Sequence, residues 1–201
     1  MIRNIIFDIG NVLLNFKPEA FLRRFTRDEN RIKEFTAKVI KTELWLSLDR
    51  GDVSLKDAQN EYLKRYPEES DLLKVFFNHW KEILTLIPQN IQILRDLKTN
   101  NYKIYILSNF IREAFTYVTE QFDFFELIDG KVISYVIKSI KPEDKIFQTL
   151  IEKYRLKPEQ CVFIDDEEVN ISKAKSIKMK TIHYLEGMDL RFELRNMNIA
   201  I

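Results

Sequence analysis

Short apolar runs alternate with helix-period stripes along most of this chain, and that alternation restricts it to a sheet covered by helices. The runs Asn4–Phe7, Lys103–Leu107, Val132–Ile133, Val162–Ile164 and Lys180–Tyr184 are apolar and often β-branched, as strands buried on both faces are. Between them, Ile91, Leu94 and Leu97 share one helix face, and so do Ile146, Leu150, Ile151 and Tyr154. A further short helix is expected between Ile171 and Ile177. Strands separated by helices predict an α/β fold with a doubly wound, Rossmann-like parallel sheet.

The alternation fails between about Phe16 and Leu86, where the pattern is helical throughout and rich in aromatics and charge. Phe21, Phe25, Trp45, Tyr62, Phe76, Phe77 and Trp80 are among the residues expected to line a helical bundle there. Ser54 reads as a helix N-cap, and Gly51 marks a turn between helices. So long an interruption exceeds any ordinary loop. It predicts an inserted all-helical cap over residues 16–86, with 1–15 and 87–201 forming the α/β core.

Composition narrows the function. Basic and acidic residues nearly cancel, 32 against 31, so no overall field recruits nucleic acid or an anionic membrane. No apolar run approaches the roughly 18 residues that cross a bilayer, and the start of the chain lacks the pattern of a signal peptide. A cytoplasmic monomer or homodimer is expected. Cys161 is the single cysteine and opens an apolar strand, where a small buried hydrophobe is expected rather than a catalytic thiol. His79 and His183 are expected to pack or face solvent. Any metal is therefore held by oxygen, which favours magnesium over zinc.

The chemistry collects at the ends of strands. Asp8 follows Ile5-Ile6-Phe7, and Asp165-Asp166 follow Val162-Phe163-Ile164. Strand tips are where open α/β sheets place their ligands. Carboxylates meeting there repel one another unless a cation joins them, which predicts a divalent metal. Ser108-Asn109 ends another strand and offers an anion cradle, although helix capping explains the same pair. Lys141 precedes Pro142, which is suited to the first position of a helix; a solvated lysine is the plain alternative.

In chain order these four sites match the motifs of the haloacid dehalogenase-like (HAD) superfamily, which the chain resembles over nearly its full length. The echoes are Phe7-Asp8-x-x-x-Val12-Leu13, Ile106-Leu107-Ser108-Asn109, Lys141-Pro142-Glu143 and Val162-Phe163-Ile164-Asp165-Asp166 with Asn170. The helical insertion resembles that superfamily's C1 cap. The resemblance implies a magnesium-dependent phosphatase in which Asp8 attacks phosphorus. It further implies magnesium on Asp8, the Gly10 carbonyl and Asp166, with Asp165 a further ligand or a supporting acceptor. Ser108 and the Asn109 backbone would hold phosphoryl oxygens, Lys141 would offset charge, and Asn170 would brace the loop.

One position departs from the pattern. The family's second aspartate, two residues after the nucleophile, supplies a proton to the leaving group, and here that position is Gly10. Loss of such an acid typically forfeits about 10²–10⁴ in rate. Glu19 and Asp49 are candidate replacements by location. The Asp-x-Gly-Asn form resembles the branch with bacterial α-glucose 1-phosphate phosphatases, so a sugar phosphate is the expected substrate among small phosphorylated metabolites. Two alternatives stand beside this: a 2-haloacid dehalogenase, disfavoured by the paired aspartates, and a catalytically weak binding or regulatory protein. In the cap, the Leu48–Asp52 turn is the expected specificity loop, where Arg50 either recognises the substrate or is a surface arginine at a helix end. Trp45 and Trp80 are expected to pack in the cap core.

Overall fold

The computed structural model describes residues 1–201. Five parallel strands form one sheet: β1 (Asn4–Phe7), β4 (Lys103–Ser108), β5 (Gly130–Ile133), β6 (Cys161–Asp165) and β7 (Lys180–His183), in the order β5-β4-β1-β6-β7. Every expected strand is present. Their order puts β1 in the middle, with Phe7 level with Ile106 on one side and Ile164 on the other. The next residue along, Asp8, therefore emerges between the tips of β4 and β6.

Alternate side chains point to opposite faces of a strand, and the two faces carry separate apolar clusters. Ile6, Tyr105, Leu107 and Phe163 pack against α9 (Asp144–Tyr154) and α10 (Glu168–Ser176). Ile5, Phe7, Ile104, Ile106, Val162 and Ile164 pack on the other face, in a cluster continuous with the buried residues of the helical insert. α6 (Pro88–Thr99), α7 (Arg112–Gln121) and α11 (Leu190–Asn196) complete that layer. The expected helix over 171–177 is α10, which begins three residues earlier.

Between the first and second sheet strands, the chain runs through α1 (Pro18–Leu22), α2 (Glu29–Val39), α3 (Glu43–Arg50), α4 (Leu55–Arg65) and α5 (Ser70–His79). Ser54 caps α4 as expected, its Oγ accepting from the Asp57 N–H at 3.1 Å. The two ends of this stretch are tied by a strand pair the sequence did not suggest: β2 (Leu14–Asn15) runs antiparallel to β3 (Thr85–Leu86). Two residues are too few for a period-2 signal. Phe25, expected inside the bundle, is instead 44% exposed, with the Arg24 guanidinium over its ring.

α3 is fastened to the sheet domain. Gly51 ends it at φ 73°, and a side chain there would come within 2.9 Å of Tyr135 in α8 (Ser134–Ile137). Both the left-handed backbone and the close approach require glycine. Ser134 Oγ donates to the Asp49 carbonyl at 2.5 Å, and Arg50 pairs with Glu143 at 2.6 Å. Of its two expected roles Arg50 does not take substrate recognition: it clamps the insert onto the core and does not line the cavity.

Candidate active site

Asp8, Asp165 and Asp166 converge at the carboxyl edge of the sheet, with one oxygen from each within 4.8 Å of the others. Lys141 sits among them, its Nζ 2.9 Å from Asp8 and 2.6 Å from Asp165. All but Asp166 are buried.

The hydrogen bonds give each carboxylate a distinct position. Asp8 Oδ1 accepts from the Ile9 N–H (2.7 Å), Ser108 Oγ (2.6 Å) and Lys141, whereas no protein donor reaches Oδ2. Asp165 is fully engaged: Oδ1 accepts from the Glu167 N–H and Asn170 Nδ2, and Oδ2 from Lys141. It does not line the cavity, which fits the supporting-acceptor alternative. Asp166 gives one oxygen to Asn11 Nδ2 at 3.0 Å and keeps the other unbonded. Asp8, Gly10 and Asp166 all line the cavity.

Ser108 and Asn109 do not cap a helix, since α7 begins later, at Arg112, without a side-chain cap. Ser108 holds Asp8, and the Asn109 side chain clasps the Lys141 backbone in both directions, at 2.7 and 3.2 Å. The main-chain N–H of Asn109 has no acceptor within the protein. Pro142 does not open a helix either; α9 starts at Asp144, so Lys141 lies in a loop fixed by Asn109. Lys141 is nearly fully buried, not solvated.

Electrostatics follow from this crowding. Burial, reinforced by Asp165 and Asp166, raises the Asp8 carboxyl to about 7 against the pull of Lys141 and Ser108. Burial likewise raises Asp166. Desolvation alone would lower Lys141, but Asp165 and Asp8 outweigh it and hold its pKa above the ordinary value. One ammonium against three carboxylates leaves net negative charge in a buried site. Asn170 adds a sharper sign: its Nδ2 braces Asp165, while its buried Oδ1 has no partner at all. An all-oxygen donor set, an excess of negative charge and an orphaned acceptor fit a hydrated magnesium ion.

Asp49 lines the same cavity as Asp8, and burial followed by the Asp8 charge raises its carboxyl to about 7. Glu19 does not line it and faces Arg23 at 3.6 Å. Trp45 and Trp80 are half-buried on the cavity wall. Cys161 is buried, and its thiol is pushed up to about 11, which keeps it inert. His183 is nearer the site than expected, with Nε2 2.9 Å from the Asp166 carbonyl. Asn11 is the residue the sequence reading missed. It adopts φ 52°, ties Asp166 and accepts from the Phe16 N–H. An asparagine directly after Gly10 in a strand-end turn was the available signal.

The model of the haloacid dehalogenase-like hydrolases matches residues 2–177. This chain belongs to that family. It is 24% identical to the drimenol cyclase of Aspergillus calidoustus over 98% of this chain, but spans only 37% of that protein. Identity to a sesquiterpene phosphatase of Aspergillus oryzae is 21%, covering 96% of this chain and 94% of the other. For the D-ribitol-5-phosphate phosphatase of Bacteroides thetaiotaomicron it is 23%, covering 96% and 97%. A HAD-family enzyme of Bacteroides thetaiotaomicron, solved with magnesium and inorganic phosphate, superposes with TM-score 0.76 at 22% identity, over 97% of this chain and 100% of that one. The fold is thus that of the family, a HAD-like hydrolase.

Proposed function

We propose that this hydrolase is a magnesium-dependent phosphomonoesterase working through an aspartyl-phosphate on Asp8. The observation that carries the reading is the asymmetry of Asp8: three donors hold Oδ1 while Oδ2 is left without a donor in a carboxylate lining the cavity. Fixing one oxygen orients the other for attack and removes the entropy of aligning it. Asp8, Asp166 and the Gly10 carbonyl would hold the cation, with Asn170 Oδ1 accepting from its hydration. When bound, that ion offsets charge on the phosphoryl oxygens and makes phosphorus easier to attack.

The chain's own residues carry the rest. Asp8 displaces the alkoxide from phosphorus, and water then cleaves the acyl phosphate, releasing inorganic phosphate and regenerating the carboxylate. Lys141 and the free Asn109 N–H stabilise phosphoryl charge in both steps. Asp165 acts through Lys141, keeping its ammonium charged and in place. Residues 16–86 act as the cap and supply Asp49, whose carboxyl donates the proton the leaving group needs in place of the absent aspartate at position 10. The clamps at Ser134, Glu143 and Tyr135 hold the turn that carries Asp49 against the core.

The names of two relatives support transfer at phosphorus over dehalogenation. They divide between a polyol and a hydrocarbon leaving group, and the step at phosphorus is common to both. The test is hydrolysis of small phosphate esters, methyl phosphate among them, with and without magnesium. Activity lost in a chelator and restored by the ion is expected. Turnover of 2-haloacids that ignores the chelator would overturn the reading in favour of dehalogenation.

A further inference from the structure

The cavity above Asp8 holds about 400 Å³, room for on the order of a dozen heavy atoms at a liquid-like share of about 30 Å³ each. Its polar groups are not evenly spread. Asp8, Gly10, Asn11, Asn109, Lys141 and Asp166 lie on the floor, at the strand tips. The insert contributes Ile40, Trp45, Leu46, Leu55, Phe77 and Trp80, and the start of the α7 segment adds Phe110, Ile111 and Ala114.

Only two ionisable side chains reach the cavity from the insert, Lys41 and Asp49. Lys41 is paired with Glu167, which leaves Asp49, beside the Trp45 indole N–H, as the roof's one carboxyl. Asn11 and Asn109 on the floor are committed to Asp166, Phe16 and Lys141, Glu167 pairs with Lys41, and Asn170 is spent on Asp165 with its remaining oxygen buried. A sugar or polyol carries several hydroxyls, and binding one here would strip their water without offering partners. Each unpaired hydroxyl disfavours binding on the order of ten-fold or more. An apolar chain meets the opposite balance: it gains from every methylene buried against these side chains.

We infer that the substrate is the phosphate monoester of a hydrocarbon alcohol, its phosphoryl group on the Asp8 floor and its apolar chain along the wall of Ile40, Trp45, Leu46, Leu55, Phe77 and Trp80. This rests on the phosphatase reading for the floor and adds the class of leaving group. Asp49, the roof's one carboxyl, then serves the one polar atom of such a leaving group, its ester oxygen.

Two measurements test it. The first is kcat/KM for n-alkyl phosphates from methyl to decyl, below their micellar concentrations, beside ribitol 5-phosphate and glucose phosphates. A rise of about 3- to 4-fold per methylene, levelling once the cavity is filled, is expected, with octyl phosphate at least about 100-fold above the polyol esters. A flat series, or preference for a polyol ester, would overturn the inference. Leu46→Asn should cut the octyl-to-methyl ratio about ten-fold.

The second measurement needs no turnover. Both tryptophans of the chain, Trp45 and Trp80, line the cavity, so their fluorescence reports binding of non-hydrolysable n-alkylphosphonates. Kd that tightens with chain length supports the apolar site even where no ester is cleaved, in which case the phosphatase reading alone falls. Kd independent of chain length overturns the site.

Discussion

The floor and the roof of the cavity are built in opposite ways. On the floor, strand tips and their loops hold Asp8, Ser108, Asn109, Lys141, Asp165 and Asp166 in one hydrogen-bonded net that leaves Asp8 Oδ2, one Asp166 oxygen and the Asn109 N–H without protein partners. The roof comes from an insert of helices and meets the cavity with aromatic and aliphatic side chains around a single carboxyl. A net so closely constrained suits chemistry that does not change, since moving any member leaves a buried charge or donor unpaired. An apolar wall is tolerant, because its contacts are many, individually weak and non-directional. Damage to the floor should therefore affect all substrates alike, and damage to the roof should depend on the leaving group.

The largest effect is expected for Asp8→Asn, which removes the nucleophile while preserving its shape. Turnover of every phosphoester should fall on the order of 10⁴-fold or more, with thermal stability retained or raised. Comparable residual rates on any ester would break the assignment of the floor. Next comes Lys141→Ala, which leaves Asp8 and Asp165 without their shared cation. Single-turnover rates should drop about 10²- to 10³-fold for all esters, and a loss confined to one leaving group would contradict the comparison.

Asp49→Asn tests the roof. Alkyl phosphates, whose alkoxides need a proton, should slow about 10²-fold or more, whereas p-nitrophenyl phosphate, whose leaving group does not, should change far less. An equal loss on both would demote Asp49 to a positioning role. Smaller still is the expected rescue by Gly10→Asp in that variant. A Cβ at position 10 would meet no atom within 4 Å, so a side chain can leave the backbone there without a clash, and about ten-fold recovery on alkyl esters should follow.

The least effect concerns stability. The folded Asp49 carboxyl titrates near 7, above its ordinary 3.8. Its contribution is thus present in full below about pH 4 and is lost as pH rises through 7. Asp49→Asn should melt about 2–5 °C higher than the unmutated protein at pH 8, with the gap closing toward pH 4. A constant gap across that range would show that Asp49 is not strained by burial.

Much of the floor could be read from the chain. Asp8, Ser108-Asn109, Lys141 and Asp165-Asp166 announce themselves because each follows a short apolar run or opens a loop, and both signals are local. Their pairing was harder to see. Nothing near Asn109 in sequence shows that its amide holds the backbone of Lys141, or that Asp165 spends both oxygens on neighbours while Asp166 keeps one unbonded. Arg50 poses the same difficulty, since its partner Glu143 lies 93 positions away. Pro142 misled because a proline's preference for a helix start is weak beside the tertiary contacts that delay α9 to Asp144.

Sequence alone determined that this chain makes a parallel sheet with acids at its edge, because alternating periods and strand-end polarity are properties of neighbouring residues. Tertiary structure decided the rest. Placing β1 between β4 and β6 gathered three acids about one lysine, and clamping α3 to α8 set an apolar roof and its lone carboxyl above them. Those outcomes depend on contacts between residues far apart along the chain, which no local period encodes.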